Sequence, residues 1–153
     1  MPKLFRLYTL LLALTILGGQ AQSQQLPVPP TLAGKSWLLL EVGSGQVLTA
    51  ERPDERMEPA SLTKLMTAYL TFAAMRQKTI ALNQAVPVSK TAWQTGGSKM
   101  FIRVDTQVVV EDLIKGMIVQ SGNDACVALA EAIAGSEEHF AQMMNREAKR
   151  LGM

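Results

Sequence analysis

Cysteine and histidine are almost absent from this sequence. Its 153 residues include one cysteine, Cys126, and one histidine, His139. A lone cysteine cannot close an internal disulfide, and a lone histidine leaves few ways to build a metal site, so a disulfide scaffold and a zinc protein are excluded. No metal or cofactor is expected. Because its neighbours Ala125, Val127 and Ala128 are apolar, we interpret Cys126 as a small core residue.

A strong excess of one charge is also missing. The chain has 15 basic and 13 acidic residues and a formal net charge of +2. Two of the basic residues, Lys3 and Arg6, fall in a predicted signal peptide, so the mature chain would carry equal numbers of both signs. This balance offers no polybasic surface, and we expect no nucleic-acid partner.

Only one long hydrophobic run occurs, and it lies at the start of the chain. The mostly apolar segment Leu7 to Leu17 follows Lys3 and Arg6 and precedes Gly18-Gly19-Gln20-Ala21, which is the layout of a secretory signal peptide over residues 1–23. An uncleaved membrane anchor is the alternative, but a spanning helix needs about 20 apolar residues, and several glutamines follow this run. We therefore predict export to the periplasm or cell envelope, with membrane association left open.

The remaining residues, about 130 of them, correspond to one modest domain and not to a complete multidomain enzyme. Prolines mark residues 24–35 as an extended lead-in. The segments Trp37 to Val42 and Gln46 to Ala50 have β-type composition, and Gly43-Ser44-Gly45 between them predicts a β-hairpin.

Helical periodicity begins at Ser61, where apolar residues recur at the spacing of one helix face. These residues are Leu62, Leu65, Met66, Tyr69, Phe72 and Ala73. Residues 79–106 show no sustained helical period and predict loops with one or two short strands. A stripe of Leu113, Ile114, Met117 and Ile118 then predicts a helix. The segment from Ala125 to Ala134, capped by Gly135, predicts another, and Glu137 to Leu151 predicts a last amphipathic helix with Phe140, Met143, Met144 and Ala148 facing inward.

The first candidate for chemistry is Ser61-Leu62-Thr63-Lys64. A serine and a lysine three residues apart on a helix share one face, so the side chains of Ser61 and Lys64 can meet. A serine hydroxyl needs a nearby base to attack a carbonyl, and an amine whose pKa is lowered can serve. The alternative is structural, because serine is a favoured N-cap residue and Lys64 could be a solvated surface side chain.

A second candidate, Ser121-Gly122-Asn123, lies 60 residues further on, between two helical segments. Its hydroxyl and amide can point into a cleft, although the same residue types commonly form a polar turn. Neither motif is specific alone. Their combination is more informative, because they occur in this order and within the longer stretches Glu58 to Thr67 and Gln120 to Cys126.

Together these stretches resemble the low-molecular-mass penicillin-binding proteins, the D-alanyl-D-alanine carboxypeptidases that trim peptidoglycan. The resemblance runs from about Ser36 to Met153 and includes Gly97-Ser98-Lys99-Met100-Phe101. It implies that residues 36–153 are part of a serine D,D-peptidase domain. The implied fold is the β-lactamase/transpeptidase-like α/β (α+β) fold, in which a sheet packs against helices.

The resemblance also implies a role for each motif residue. Ser61 corresponds to the acylated nucleophile and Lys64 to its proton acceptor. Ser121 corresponds to the serine that relays a proton, and Asn123 to the asparagine that contacts the substrate. The implied substrate is the peptidoglycan pentapeptide, with β-lactam antibiotics as covalent inhibitors, and the family pattern calls for no cofactor.

One family motif does not occur in these 153 residues. The family carries Lys-Thr-Gly on a strand downstream of Ser-x-Asn, where it holds the substrate carboxylate. Lys78-Thr79-Ile80 and Lys90-Thr91-Ala92 come closest, but both precede Ser121 and lack the glycine. We therefore expect a truncated domain, with a hairpin and helices but without the later strands, and with poor activity on its own.

Two other functions remain open from the sequence. The chain could be a noncatalytic or vestigial cell-wall-associated fragment in which Ser61 only caps a helix. It could also be a β-lactamase-like hydrolase, although class A enzymes pair these motifs with a glutamate that the sequence does not locate.

Overall fold

The computed structural model describes residue 28 and residues 30–153. The predicted signal peptide lies outside the described residues, and the described part of the lead-in, up to residue 35, forms neither helix nor strand. None of the helices in the described part has the length and apolar character needed to cross a bilayer. The chain divides after Arg56 into two units, which are described separately.

The first unit contains the predicted β-hairpin. Strand β1 (Trp37–Leu40) pairs antiparallel with strand β2 (Val47–Glu51), and the register shifts between Leu39 and Leu40. In the turn, the carboxylate of Glu41 accepts hydrogen bonds from the Ser44 hydroxyl and from the amides of Gly43 and Ser44. These hydrogen bonds lower the pKa of the Glu41 carboxylate, and the bond from the Ser44 hydroxyl has the largest effect.

The second unit begins with a 3₁₀ turn and is otherwise built from helices and one small sheet. The 3₁₀ turn is Ala60–Leu62. The helices are α1 (Thr63–Arg76), α2 (Lys90–Gln94), α3 (Val110–Val119), α4 (Asn123–Ala134) and α5 (Glu137–Arg150). Strands β3 (Ala85–Pro87) and β4 (Gln107–Val109) form a separate antiparallel pair, in which Val86 lies opposite Val108.

Helix α4 is the central element of this unit. It contacts α1, α2, α3, α5 and strand β3. Its sequence makes this possible, because small residues such as Ala125 and Ala128 let neighbouring helices approach on several sides, while Leu129 fills the centre. Gly135 ends the helix at φ +80°, the left-handed conformation that glycine adopts without strain, as predicted.

The apolar stripe on α1 is not its buried face, which corrects the helical-face prediction. Most of the stripe is exposed, including Leu62, Leu65, Tyr69 and Phe72, whereas Met66 and Ala73 are partly buried. The buried residues are Thr67, Leu70, Thr71 and Ala74. Small side chains allow α1 to pack closely against α4, and the Thr71 hydroxyl is satisfied within the helix by donating to the Thr67 carbonyl.

Two further differences from the predictions are local. Residues 79–106 contain a short helix, α2, as well as strand β3; Ser89 caps this helix by accepting a hydrogen bond from the Ala92 amide at 2.9 Å. On α3, Ile118 is exposed, although Leu113, Ile114 and Met117 of the same stripe are buried. In the last helix Phe140 is buried and Met143 and Met144 are partly buried, as predicted.

Candidate active site

Ser61 lies in the 3₁₀ turn, just before helix α1. The turn follows Pro59, and Ala60 has a positive φ of 46°, which is unusual for a residue with a side chain. Helix α1 starts at Thr63 with Leu62 as its N-cap, and no side chain caps either the 3₁₀ turn or α1. Ser61 is therefore not a helix cap, and its exposed hydroxyl is available for other contacts.

The structure brings Ser61, Lys64 and Ser121 together. The Nζ of Lys64, one turn along from Ser61, donates to the Ser61 Oγ at 3.2 Å, and the Ser121 Oγ donates to the same atom at 3.0 Å. Ser61 and Ser121 are 60 residues apart in the sequence, yet their hydroxyls are in direct contact, and Lys64 bonds to the same Ser61 hydroxyl. An amine and a second hydroxyl beside a serine form the arrangement that can take its proton and pass it on.

Asn123 joins the same cluster through Lys64. Its Oδ1 accepts a hydrogen bond from the Lys64 Nζ at 2.6 Å, and its Nδ2 donates to the carbonyl of Gly96 at 2.8 Å. Both ends of the amide therefore have partners, which defines which end faces the lysine. All four residues predicted for the site, Ser61, Lys64, Ser121 and Asn123, are linked by hydrogen bonds.

The turn that carries Ser121 is strained and tightly packed. Ser121 has a φ of +54°, and Gly122 after it is buried at the N-cap of α4. A Cβ on Gly122 would lie 3.0 Å from the Asp124 Oδ1 and 3.2 Å from the Met100 amide nitrogen. Glycine is therefore the residue that fits between Ser121 and Asn123. The Ser121 side chain reaches Ser61, and the Asn123 side chain reaches Lys64.

A cavity of about 400 Å³ opens beside Lys64 and Asn123. Cys126 lines it, one helical turn after Asn123, and is only partly buried, so our prediction of a simple core residue was incomplete. Burial raises the pKa of the Cys126 thiol to about 11, although the nearby Lys64 acts in the opposite direction. At neutral pH this thiol is protonated and is a poor nucleophile.

The sequence analysis did not single out Asp124 or the backbone around Gly96. Asp124 is completely buried, and its carboxylate accepts hydrogen bonds from the amides of Met100, Ile102 and Ala125. In the sequence the residue appears only as an acid in the first turn of a helix, a common and favourable position. Gly97 was noted only as the start of Gly97-Ser98-Lys99-Met100-Phe101, a stretch of the family resemblance to which no role was assigned.

The described residues offer no metal centre. Among residues 28 and 30–153, no three histidine, cysteine, aspartate or glutamate side chains are grouped so that they could hold an ion. His139 is exposed in the first turns of α5, where its amide is capped by Ser136.

Comparison with known proteins matches residues 21–153 to the family described as D-alanyl-D-alanine carboxypeptidase. The D-alanyl-D-alanine carboxypeptidase DacC of Escherichia coli is 44% identical over 137 residues, which cover 86% of this chain and 34% of DacC. Penicillin-binding protein 5 from Haemophilus influenzae superposes with a TM-score of 0.76 and 43% identity over 82% of this chain and 38% of that one. Penicillin-binding protein D2 from Listeria monocytogenes, solved in its ampicillin-bound form, superposes with a TM-score of 0.70 and 27% identity over 82% and 50%.

These similarities confirm the predicted fold class, because more than four fifths of the chain superposes on solved structures of a D-alanyl-D-alanine carboxypeptidase and a penicillin-binding protein, and the described residues are a mixture of helices and short strands. The chain spans about a third of the length of DacC. The family match extends over most of the chain, including both motifs and the cluster that they form. The chain therefore belongs to the D-alanyl-D-alanine carboxypeptidase family.

Proposed function

We propose that the protein is a serine-type D-Ala-D-Ala carboxypeptidase that acts on peptidoglycan stem peptides through an acyl-enzyme on Ser61. One observation carries the proposal: the Ser61 Oγ accepts hydrogen bonds from the Lys64 Nζ at 3.2 Å and from the Ser121 Oγ at 3.0 Å. A serine that only stabilised a helix end would bond to backbone amides instead.

In the proposed acylation, the Ser61 Oγ attacks the carbonyl carbon of the bond between the two terminal D-alanines. The deprotonated amine of Lys64 takes the hydroxyl proton as the new ester bond forms. Ser121, which also contacts Ser61, gives its hydroxyl proton to the nitrogen of the departing D-alanine and takes the proton held by Lys64 in return. The C–N bond breaks, free D-alanine leaves, and the rest of the stem peptide stays on Ser61 as an ester.

Water then completes the proposed cycle. A water molecule attacks the ester carbonyl, the Ser61 Oγ leaves and regains a proton, and the shortened peptide departs with a free carboxylate. Asn123 is proposed to contact the bound peptide as well as to orient Lys64, because its amide lines the cavity beside the lysine. No metal or cofactor takes part in any of these steps.

A β-lactam is proposed to enter the same chemistry. Its strained amide would be attacked by Ser61 in place of the D-Ala-D-Ala bond, and the ring-opened product would remain attached as an ester. The similarity to the Listeria protein described in its ampicillin-bound form supports this proposal.

We further propose that these 153 residues alone turn over the peptide slowly. No segment of the printed sequence supplies a Lys-Thr-Gly motif after Ser121 to hold the substrate carboxylate. The loss of a single oxyanion donor typically costs about a hundredfold to a thousandfold in rate, so an incomplete binding site would have a large effect.

Export is part of the proposal, because the substrate class lies outside the cytoplasm. Residues 1–23 are proposed as a cleaved signal peptide, with the periplasm or cell envelope as the destination. The domain proper is proposed to begin near Ser36.

The experiment is an intact-mass measurement of the purified chain after incubation with benzylpenicillin. We expect a mass increase of one penicillin molecule in the native chain and in Ser44→Ala, a control that removes an exposed hydroxyl from the hairpin turn. Ser61→Ala should show no increase. An adduct that persists in Ser61→Ala would refute Ser61 as the nucleophile.

The same experiment separates the two alternative functions. If the protein were noncatalytic and wall-associated, neither the native chain nor Ser61→Ala would form a penicillin adduct. A β-lactamase would release hydrolysed penicillin rapidly and catalytically.

A further inference from the structure

We propose that Asp124 is a positioning residue that sets the orientation of the Asn123 amide toward Lys64. The inference rests on the proposed function, because it concerns the same cluster, and it adds a residue that touches neither Ser61 nor Lys64. In the described part of the chain, the Asp124 carboxylate hydrogen-bonds only to backbone amides.

The evidence begins with the segment formed by residues 96–102, which we name the bracing segment. Every second residue of this segment is tied to Asn123 or Asp124. The Gly96 carbonyl accepts from the Asn123 Nδ2 at 2.8 Å, and the Ser98 carbonyl accepts from the Asn123 amide at 2.7 Å. The amides of Met100 and Ile102 donate to the two oxygens of Asp124 at 3.0 and 3.2 Å.

Asn123 and Asp124 thus hold different parts of the bracing segment. Asn123 binds the first half of the bracing segment through its carbonyls, and Asp124 binds the second half through its amides. Phe101 lies between these two amides and has a φ of +64°. A phenylalanine keeps this unfavourable conformation only where its surroundings enforce it, and the Phe101 side chain is mostly exposed. The hydrogen bonds on either side of Phe101 are both to Asp124, so we attribute this conformation to them.

The position of the bracing segment affects the hydrogen bond of Lys64 through the Gly96 carbonyl. Because the Gly96 carbonyl holds the Asn123 Nδ2, the Oδ1 is the atom that faces Lys64 and accepts its hydrogen bond at 2.6 Å. If the bracing segment moved, the Nδ2 would lose its acceptor and the amide would be free to rotate. A rotated amide would present its Nδ2 in place of the Oδ1, and the hydrogen bond that the Lys64 Nζ donates to Asn123 would be lost.

The position of Asp124 suits this role. It is completely buried in the first turn of α4, where the amides at a helix start favour a negative charge. An aspartate needed only for the helix could remain exposed, as Asp112 does in the first turn of α3. Burying the carboxylate is costly unless it is fully hydrogen-bonded, and its partners here are the bracing-segment amides and Ala125.

The test compares Asp124→Asn with Asp112→Asn, two substitutions that remove the same charge from the first turn of a helix. In Asp124→Asn the new side-chain NH₂ must face either the Met100 or the Ile102 amide, so one hydrogen bond is lost. We expect hydrogen exchange at one of these amides to be at least tenfold faster and the Asn123 side-chain NH₂ signals to shift in the ¹H–¹⁵N spectrum. Asp112→Asn should leave both unchanged.

The effect on chemistry is measured as the rate constant for acylation by a fluorescent penicillin. Asp124→Asn should react at least tenfold more slowly than Asp112→Asn. In an Asn123→Ala background, Asp124→Asn should slow the reaction by less than twofold more, because a residue that acts through Asn123 has nothing left to position. Equal and independent effects in both backgrounds would overturn the proposal.

Two outcomes keep this inference separate from the proposed function. If the native chain is not acylated, the proposed function fails, and the Asn123 NH₂ signals still decide the positioning role: a shift in Asp124→Asn supports it and an unchanged spectrum overturns it. If circular dichroism shows that Asp124→Asn is unfolded, Asp124→Ser takes its place, since the smaller side chain leaves room for water beside the two amides.

Discussion

Replacing Gly97 with alanine should disturb the Asn123 amide by direct contact. A Cβ at this position would lie 2.6 Å from the Asn123 Nδ2, and actual Cβ atoms are essentially never found closer than 3.0 Å to another heavy atom. The Nδ2 must therefore move away from Gly97. The same amide is held by Gly96 at 2.8 Å and by Lys64 at 2.6 Å, so the movement stretches or breaks at least one of these bonds.

The magnitude has a backbone part and a contact part. Gly97 has a φ of +77°, and a residue with a Cβ pays about 1–2 kcal/mol in this region. Gly135, at φ +80°, imposes the same backbone cost, but nothing lies within 4 Å of its Cβ position. Gly135→Ala should therefore lose about 1–2 kcal/mol of unfolding free energy, and Gly97→Ala should lose more because it also carries the contact part; denaturation in urea measures both.

Acylation by a fluorescent penicillin then isolates the contact part. A hydrogen bond is worth about 1 kcal/mol when neutral and up to about 3 kcal/mol when charged. Gly97→Ala should therefore react between about fivefold and a hundredfold more slowly, whereas Gly135→Ala should react at the native rate. Equal acylation rates for the two variants, measured where both are folded, would refute a role for the Asn123 amide orientation.

Two further predictions concern stability and reactivity. Leu70→Ala, on the buried face of α1, should cost about 2–5 kcal/mol of unfolding free energy, whereas Leu65→Ala, which is 71% exposed on the same helix, should cost less than about 0.5 kcal/mol; thermal or urea denaturation of both variants checks the corrected face of α1. Alkylation of Cys126 by iodoacetamide should be slow at pH 8 and rise about tenfold per pH unit toward pH 11, because only the thiolate reacts and its pKa is raised to about 11; mass spectrometry that found rapid alkylation at pH 8 would contradict this.

Much of the fold was predictable because local rules decide it. A glycine-rich turn between two β-type segments predicted β1 and β2, and a Gly135 cap predicted the end of α4. The pairing of Ser61 with Lys64 followed from helical geometry, since both lie within one turn. These features depend on neighbours in the sequence, and tertiary contacts do not override them here.

The buried face of α1 was not predictable by the same means. Its apolar stripe and its packed face point in different directions, because α4 presents small residues and selects small partners such as Ala74 and Thr71. Hydrophobic periodicity depends only on the positions of apolar side chains within the helix. It contains no information on the size of the residues in the neighbouring helix. The short helix α2 was missed for another reason: its single turn is too brief to show a period, and its one clear signal was the Ser89 cap.

The role proposed for Asp124 could not be predicted from the residue types of the motif. The serine and the asparagine around Gly122 carry polar groups that suggest chemistry, whereas an aspartate one residue later suggests only a favourable helix start. Its importance appears when burial is known, because a fully buried carboxylate needs several donors and these come from a distant segment.

Some of the backbone strain lies in or beside the cluster. Ala60, Phe101 and Ser121 have positive φ values although none is glycine: Ala60 precedes Ser61, Phe101 lies in the bracing segment, and Ser121 belongs to the cluster itself. The other non-glycine residues with positive φ in the described part of the chain, Arg52, Lys78 and Asp105, fall elsewhere in the sequence. Conformations of this kind cost on the order of 1–3 kcal/mol each and persist only where the surrounding contacts impose them. At Ser121 such contacts are visible, because its hydroxyl is hydrogen-bonded to Ser61 and the Gly122 that follows it is closely packed.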